Sequence, residues 1–167
     1  MDTLMVRQLR EAEAPQASAV LLAAYRQIYP EGDTSEEGYL HHVADVGARL
    51  SQVPVLGCFL GEQLIGSVTL VLDEASEYAE GLQVGEAGIR MLGVDPKAQR
   101  HGAGRALVTA CLDRARADQK HAVSLHTNVQ MVQAQRLYER MGFVRVPERD
   151  LTLPQVKLLG YRRSLDG

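Results

Sequence analysis

The spacing of apolar residues changes along the chain, and each change marks an element. Residues 14–28 place Ala17, Val20, Leu21, Ala24, Tyr25 and Ile28 three and four apart, which predicts an amphipathic helix. A short first strand at 5–9 precedes it and runs through the polar stretch 10–13 into the helix entrance. Pro30 and Gly32 predict the end of this helix. Asp33, Thr34 and Ser35, followed by Glu36 and Glu37, offer an N-cap and an acidic first turn for a second helix. That helix runs toward Leu50 with Leu40, Val43 and Val46 on its apolar side, interrupted by Gly38 and Gly47.

From residue 53 the texture becomes short, β-branched and continuous. Residues 53–60 and 64–72, separated by Gly61, Glu62 and Gln63, predict an antiparallel hairpin. An acidic loop fills 73–85. Residues 88–94 predict a central strand, stopped at Asp95 and Pro96 because proline cannot donate to a ladder. The clearest helix lies at 102–119, with Ala103, Ala106, Leu107, Ala110, Cys111 and Ala115 on one side. A short strand at 122–126 follows, then a helix at 131–141 whose face carries Ala134, Leu137, Tyr138 and Met141 and which ends at Gly142. Strands at 143–146 and 156–162 close the chain. The order predicts an α+β, or mixed α/β, fold with helices on the faces of one sheet.

Composition narrows the classes. With 167 residues, 46% hydrophobic and 23% charged, the chain fits a single globular domain and excludes a disordered or fibrous protein. A net charge of −3 argues against gripping nucleic-acid backbone over a wide surface. No apolar run approaches the roughly 20 residues that span a bilayer, and residues 1–10 are too charged for a signal peptide, so a cytoplasmic protein is expected. Cys58 and Cys111 read as two buried thiols. His41 and His42 are adjacent and no HExxH or CxxC partner exists, so no metal site is expected.

Candidate chemistry gathers between the central strand and the long helix. There the sequence reads Asp95-Pro96-Lys97-Ala98-Gln99-Arg100-His101-Gly102-Ala103-Gly104-Arg105. Two glycines at a helix entrance let ligand oxygens approach bare backbone N–H groups at the positive end of the dipole. Lys97, Arg100, His101 and Arg105 add cations, which predicts a phosphate and most naturally a diphosphate. A Walker A loop is absent, and GxGxxG breaks at Leu107.

The run Gln99-Arg100-His101-Gly102-Ala103-Gly104 resembles the Q/R-x-x-G-x-G/A acetyl-CoA loop of the GNAT superfamily of N-acetyltransferases. Ile89-Arg90-Met91-Leu92-Gly93-Val94-Asp95-Pro96 resembles that family's central strand. Residues 134–143, written A-x-x-L-Y-x-x-x-G-F, resemble its late helix and the strand that follows. The resemblance implies a mixed, mostly antiparallel sheet flanked by helices on both faces, and acetyl-CoA as co-substrate. It implies a pantetheine arm bonded to the backbone of Leu92, Gly93 and Val94, and a diphosphate on Gln99, Arg100, His101, Gly102, Ala103, Gly104 and Arg105. The family's late helix often begins with an Asn that contacts the cofactor. Met131 holds the matching position here, and Asn128 lies just upstream as its substitute. Ala134, small at its matching position, permits close approach of the cofactor, and Tyr138 matches the residue that protonates the departing thiolate.

Many relatives carry a Glu on the central strand that acts on the amine through water. The aligned position is Gly88, and Glu86, two residues earlier on the same strand face, is the substitute base. The resulting expectation is acetyl transfer to a primary amine of a small molecule or peptide. Gly88 and Met131 favour an alternative, an acyl-CoA-binding or regulatory module without turnover, whereas Tyr138 favours the enzyme. A nucleotide switch is disfavoured by the missing phosphate-loop lysine. Asp73, Glu74, Glu77, Glu80 and Glu86 could attract a cationic amine. A homodimer through the late strands, with residues 156–162 as an available strand, is also expected.

Overall fold

A computed structural model describes residues 3–29, 38–154 and 156–166, with the side chain of Leu153 set aside. Its contacts divide the chain into two units, residues 1–70 with 91–110, and 71–90 with 111–167.

In the first unit, β1 (Leu4–Gln8) pairs antiparallel with β2 (Val55–Leu60), Val6 opposite Cys58. β2 turns through Gly61 and Glu62 into β3 (Gln63–Val71), again antiparallel. Gly61 takes the turn at φ +59, a left-handed angle that favours glycine. The second half of β4 (Glu86–Val94) lies beside β3, and the Asp95 N–H donates to the Ile65 carbonyl at 2.8 Å. α1 (Ala14–Arg26) buries Ala17, Val20, Leu21 and Tyr25, the stripe its periodicity announced. Burial of each large apolar side chain contributes about 1.5–3 kcal/mol. Glu13 fastens the entrance of α1 by accepting from both Nη atoms of Arg7 and from the Arg10 amide.

The second helix differs from expectation. It forms as α2 (Tyr39–Ala44) and α3 (Val46–Leu50), broken at Asp45 and not at Gly47. Asp45 leaves helical geometry (φ −81, ψ 64) and its carboxylate accepts from the Ala48 N–H, so it starts the next helix as its cap. Arg49 is buried and donates to the His42 and Val43 carbonyls at the end of α2, and to Thr69 Oγ1. The stop at Pro30 and Gly32, the cap at Asp33 to Ser35 and the acidic turn at Glu36 and Glu37 lie outside the described residues.

In the second unit, β4 begins at Glu86 and pairs in parallel with β5 (Ala122–Asn128). β5 pairs antiparallel with β8 (Val156–Ser164), which also carries β6 (Val144–Arg145) and β7 (Leu151–Leu153). The strand β7 was not expected. The sheet order is β1-β2-β3-β4-β5-β8-β6, giving the mixed, mostly antiparallel sheet that the sequence implies. β8, the strand that the sequence offered for a homodimer, is paired by β5 on one side and by β6 and β7 on the other.

α4 (Ala103–Ala117) and α5 (Val132–Arg140) complete the described helices. Gly142 at φ +90 closes α5, with the Phe143 N–H bonded back to the Tyr138 carbonyl. The loop between β3 and β4 is acidic and exposed for much of its length, and two of its carboxylates cap turns: Asp73 accepts from Ala75, and Glu74 from Gly85. Among the described residues, no helix is long and apolar enough to cross a membrane.

Candidate functional site

The loop into α4 belongs wholly to the first unit. Asp95 accepts from the Lys97 N–H and closes a short 3-10 turn over Pro96–Ala98. Gln99 is extended, Arg100 then turns left-handed at φ 79, and Gly102 does so again at φ 82. Left-handed residues in a turn ahead of a helix are a setting in which successive backbone N–H groups can bind an anion. The first helical bond follows at once, from the Ala106 N–H to the Gly102 carbonyl. The amides before it have no partner inside the helix and face its positive end. Gln99, Arg100, His101, Gly102 and Arg105 are exposed, whereas Ala103 is buried beneath them. The exposed amides and cations of this turn are compatible with an anionic ligand.

β4 leads into this loop with an irregular backbone. Met91 has φ 52, a left-handed angle rare for a side-chain-bearing residue inside a strand. Parallel pairing of β4 with β5 covers Glu86 to Ile89 against Ala122 to Leu125, although both strands continue beyond it. The left-handed Met91 stands immediately before Leu92, Gly93 and Val94. Gly93 is required by packing, since a Cβ there would lie 2.9 Å from Leu21 Cδ2 and 3.2 Å from Ala24 Cβ.

In the second unit, the end of β5 and the start of α5 bring together Asn128, Met131, Ala134 and Tyr138. Asn128 is buried and its Oδ1 accepts from the Gln130 N–H at 2.7 Å. The Met131 N–H donates to the Asn128 carbonyl at 2.9 Å, so Met131 begins the helix without a side-chain cap. Ala134 is half-buried. Tyr138 packs its ring edge-on to Phe143 at 5.5 Å and tilted against Tyr161 at 6.3 Å. Its hydroxyl makes no hydrogen bond to any described residue. Burial, and then the Cys111 thiol, push the phenol well above its ordinary pKa and keep it protonated.

Glu86 is not brought to this group. It pairs with Ala122, at the opposite end of β5 from Asn128. It is also no solvated loop carboxylate, for it is 2% exposed. Its Oε1 and Oε2 accept both Nη atoms of Arg149 at 2.8 and 3.0 Å, Oε2 also accepts Arg162 Nε at 2.9 Å, and Oε1 the Gln83 N–H. Burial alone would raise its pKa. The bonds from Arg149, the Gln83 amide and Arg162 outweigh that and bring it down to about 2.

Sequence reasoning missed Met91 and the guanidinium group of Arg90, Arg149 and Arg162. The available signal for the latter was a glycine inside each of two strands, Gly88 and Gly160, where glycine often marks close approach by other atoms.

The family model described as Acetyltransferase (GNAT) family matches residues 17–143. The chain belongs to that family. A mycothiol acetyltransferase from Cellulomonas flavigena is 38% identical over 108 residues, a stretch that covers 61% of this chain and 31% of that relative. The chain thus spans about a third of the length of the curated relative it matches. Among solved structures, a GNAT-family acetyltransferase from Staphylococcus aureus Mu50 superposes with TM-score 0.75 at 15% identity, covering 98% of this chain and 100% of the other. The PaiA N-acetyltransferase of Thermoplasma acidophilum, solved in complex with coenzyme A, superposes with TM-score 0.73 at 15% identity over 97% and 99%. At such identity the likeness is one of fold.

Proposed function

We propose that this GNAT chain transfers an acetyl group from acetyl-CoA to a primary amine of a small molecule or peptide by direct attack on the thioester. The observation that carries the reading is the double left-handed turn at Arg100 and Gly102 in front of α4, which presents amides and cations to a diphosphate. The complex of a structural neighbour with coenzyme A supports the same ligand.

In this reading Gln99, Arg100, His101, Gly102, Ala103, Gly104 and Arg105 hold the diphosphate. The backbone of Leu92, Gly93 and Val94 bonds the pantetheine, and Asn128, Met131 and Ala134 contact the cofactor in the second unit. Bound acetyl-CoA supplies an activated acyl carbon. Tyr138 keeps a proton on Oη and gives it to the departing thiolate, then regains one from solvent. Glu86 is a positioning residue in our reading and not the base. A carboxylate held near pKa 2 by two guanidiniums is a poor acceptor for an ammonium proton, so water takes that proton.

The test is calorimetry of acetyl-CoA binding together with release of free thiol across a panel of amines. Gly102→Val puts a β-branched residue at φ 82 and is expected to weaken acetyl-CoA at least tenfold with circular dichroism unchanged. Unaltered affinity would overturn the placement. The departures at Gly88 and Met131 favour a second reading, a binding module, and acetyl-CoA binding with no amine turned over would establish it.

A further inference from the structure

The strand register in the second unit sets Gly88 of β4, Ser124 of β5 and Arg162 of β8 in one row. Alternation places Glu86, Arg90, His126 and Gly160 on the same face. Ala87, Ile89, Val123, Leu125 and Tyr161, all buried, occupy the other face. One side of this sheet is therefore apolar core, and the other is polar and cationic.

The two glycines explain how the cations fit. Arg90 folds its guanidinium over Gly88, where a Cβ would lie 2.8 Å from Nη1 and 3.1 Å from Cζ. A Cβ on Gly160 would lie 3.0 Å from that of Arg149. Arg149 and Arg162 share a single carboxylate, Glu86. Among the described residues, Arg90 has no such partner at bonding distance. Its Nη1 and Nη2 donate to the carbonyls of Ile89 and Glu80, each at 3.0 Å.

Three guanidiniums around one paired carboxylate leave this face short of negative charge. The Glu80 carboxylate is exposed and acts on Arg90 through space, and Asp150 is taken by Arg145. Of the five N–H donors of a guanidinium, those of Arg90 beyond its two carbonyl bonds have no acceptor among the described residues, nor do the Nη groups of Arg162. Nearby His126 adds no further charge at neutral pH. Burial first, and Arg90 and Arg149 next, hold its pKa below the usual value despite the bond to the Arg149 carbonyl. Gly88 and Arg162 lie two strand spacings apart, roughly 10 Å, so the two long side chains can close on one small anion between them. A planar fork with unused donors matches a carboxylate in bidentate fashion.

We propose that Arg90 and Arg162 bind the carboxylate of the amine acceptor, so that the acceptor is an amino acid, with amine and carboxylate in one small molecule. The proposal rests on acetyl transfer being the function. It disfavours polyamines and aminoglycosides, which would bring positive charge to a cationic face. Glu86, the carboxylate on this face, does not oppose it, since it is already neutralised by arginine.

The experiment measures thiol release from acetyl-CoA with each common amino acid and with its carboxamide. We expect at least one amino acid to be acetylated, with kcat/KM at least about 30-fold above its amide, the scale of a hydrogen bond to a charged group. Arg90→Gln should erase most of that ratio through KM and leave acetyl-CoA affinity and melting temperature unchanged. Arg90→Lys, which keeps the charge and loses the fork, should restore part of it and serves in place of Arg90→Gln if that variant does not fold. Equal rates for acid and amide, or an unchanged ratio in the variant, would overturn the proposal. Loss of acetyl-CoA affinity in Arg90→Gln would also overturn it and assign the cations to the cofactor. If no acceptor turns over, calorimetry of the same acids and amides on CoA-loaded protein separates the two ideas. Acid binding lost in Arg90→Gln supports the carboxylate site while the transfer reading fails, and absence of acid binding overturns the site.

Discussion

Tyr138 divides into two parts that answer to different selection. The ring packs on Phe143 and Tyr161 and belongs to the core, whereas the hydroxyl is bonded to no described residue. Tyr138→Phe therefore removes only the oxygen. Turnover is expected to fall about 100-fold, with acetyl-CoA affinity unchanged and stability altered by less than about 0.5 kcal/mol. A normal rate with a lowered melting temperature would return the hydroxyl to a structural role. At this scale the sequence was legible where a motif fixed the residue. Tyr138 and the Gln99 to Arg105 loop stood out because short-range spacing defines them. Glu86 was singled out as a base, but its pairing was not legible, because its partners Arg149 and Arg162 are 63 and 76 residues away and no local pattern announces them.

β4 shows where legibility stops at the level of elements. Its apolar run was readable as a strand, and so was the proline that ends it. The left-handed backbone at Met91 was not, because the usual signs of a left-handed residue are Gly, Asn or Asp, and Met inside an apolar run reads as plain strand. The break between α2 and α3 was placed at a glycine, whereas the aspartate that can cap the next helix decides it. The three-residue β7 is too short to carry a period. Gly93 makes the packing of β4 testable. Gly93→Val would meet Leu21 and Ala24 of α1, so chemical denaturation should show a loss of about 1–3 kcal/mol, the usual cost of overpacking. An unchanged midpoint would mean that α1 yields freely and that the contact carries no weight.

For the whole molecule, the buried ion pairs set how stability depends on pH. The two guanidiniums hold the Glu86 carboxyl down to about 2 in the folded chain, against 4.5 for a free carboxyl, so the unfolded chain takes up the proton first as pH falls. Its contribution, about 3 kcal/mol at about 1.4 kcal/mol per unit, is present above pH 4.5 and is lost as pH drops toward 2. Glu13, also held near 2 by Arg7 and by the Arg10 amide, loses its contribution over the same range. The acid limb of wild-type stability, followed by circular dichroism, should therefore fall steeply there. Glu86→Gln should be less stable at neutral pH, because Arg149 and Arg162 are left without their anion, and its acid limb should be shallower. Parallel limbs in the two proteins would show that the pair contributes nothing.

The chain also contains two timers. Cys58 lies in β2 of the first unit and Cys111 in α4 of the second, and both are fully enclosed. Burial raises both thiols, that of Cys111 to about 12, so neither offers a thiolate to a disulfide reagent while its surroundings stay closed. In the proposed thiol-release assay, colour developed with native protein would then come from coenzyme A alone. When the chain opens, each sulfur becomes reactive at the rate at which its own half opens. Equal labelling rates at the two positions would mean that the halves melt as one body, and unequal rates would identify the half that opens first.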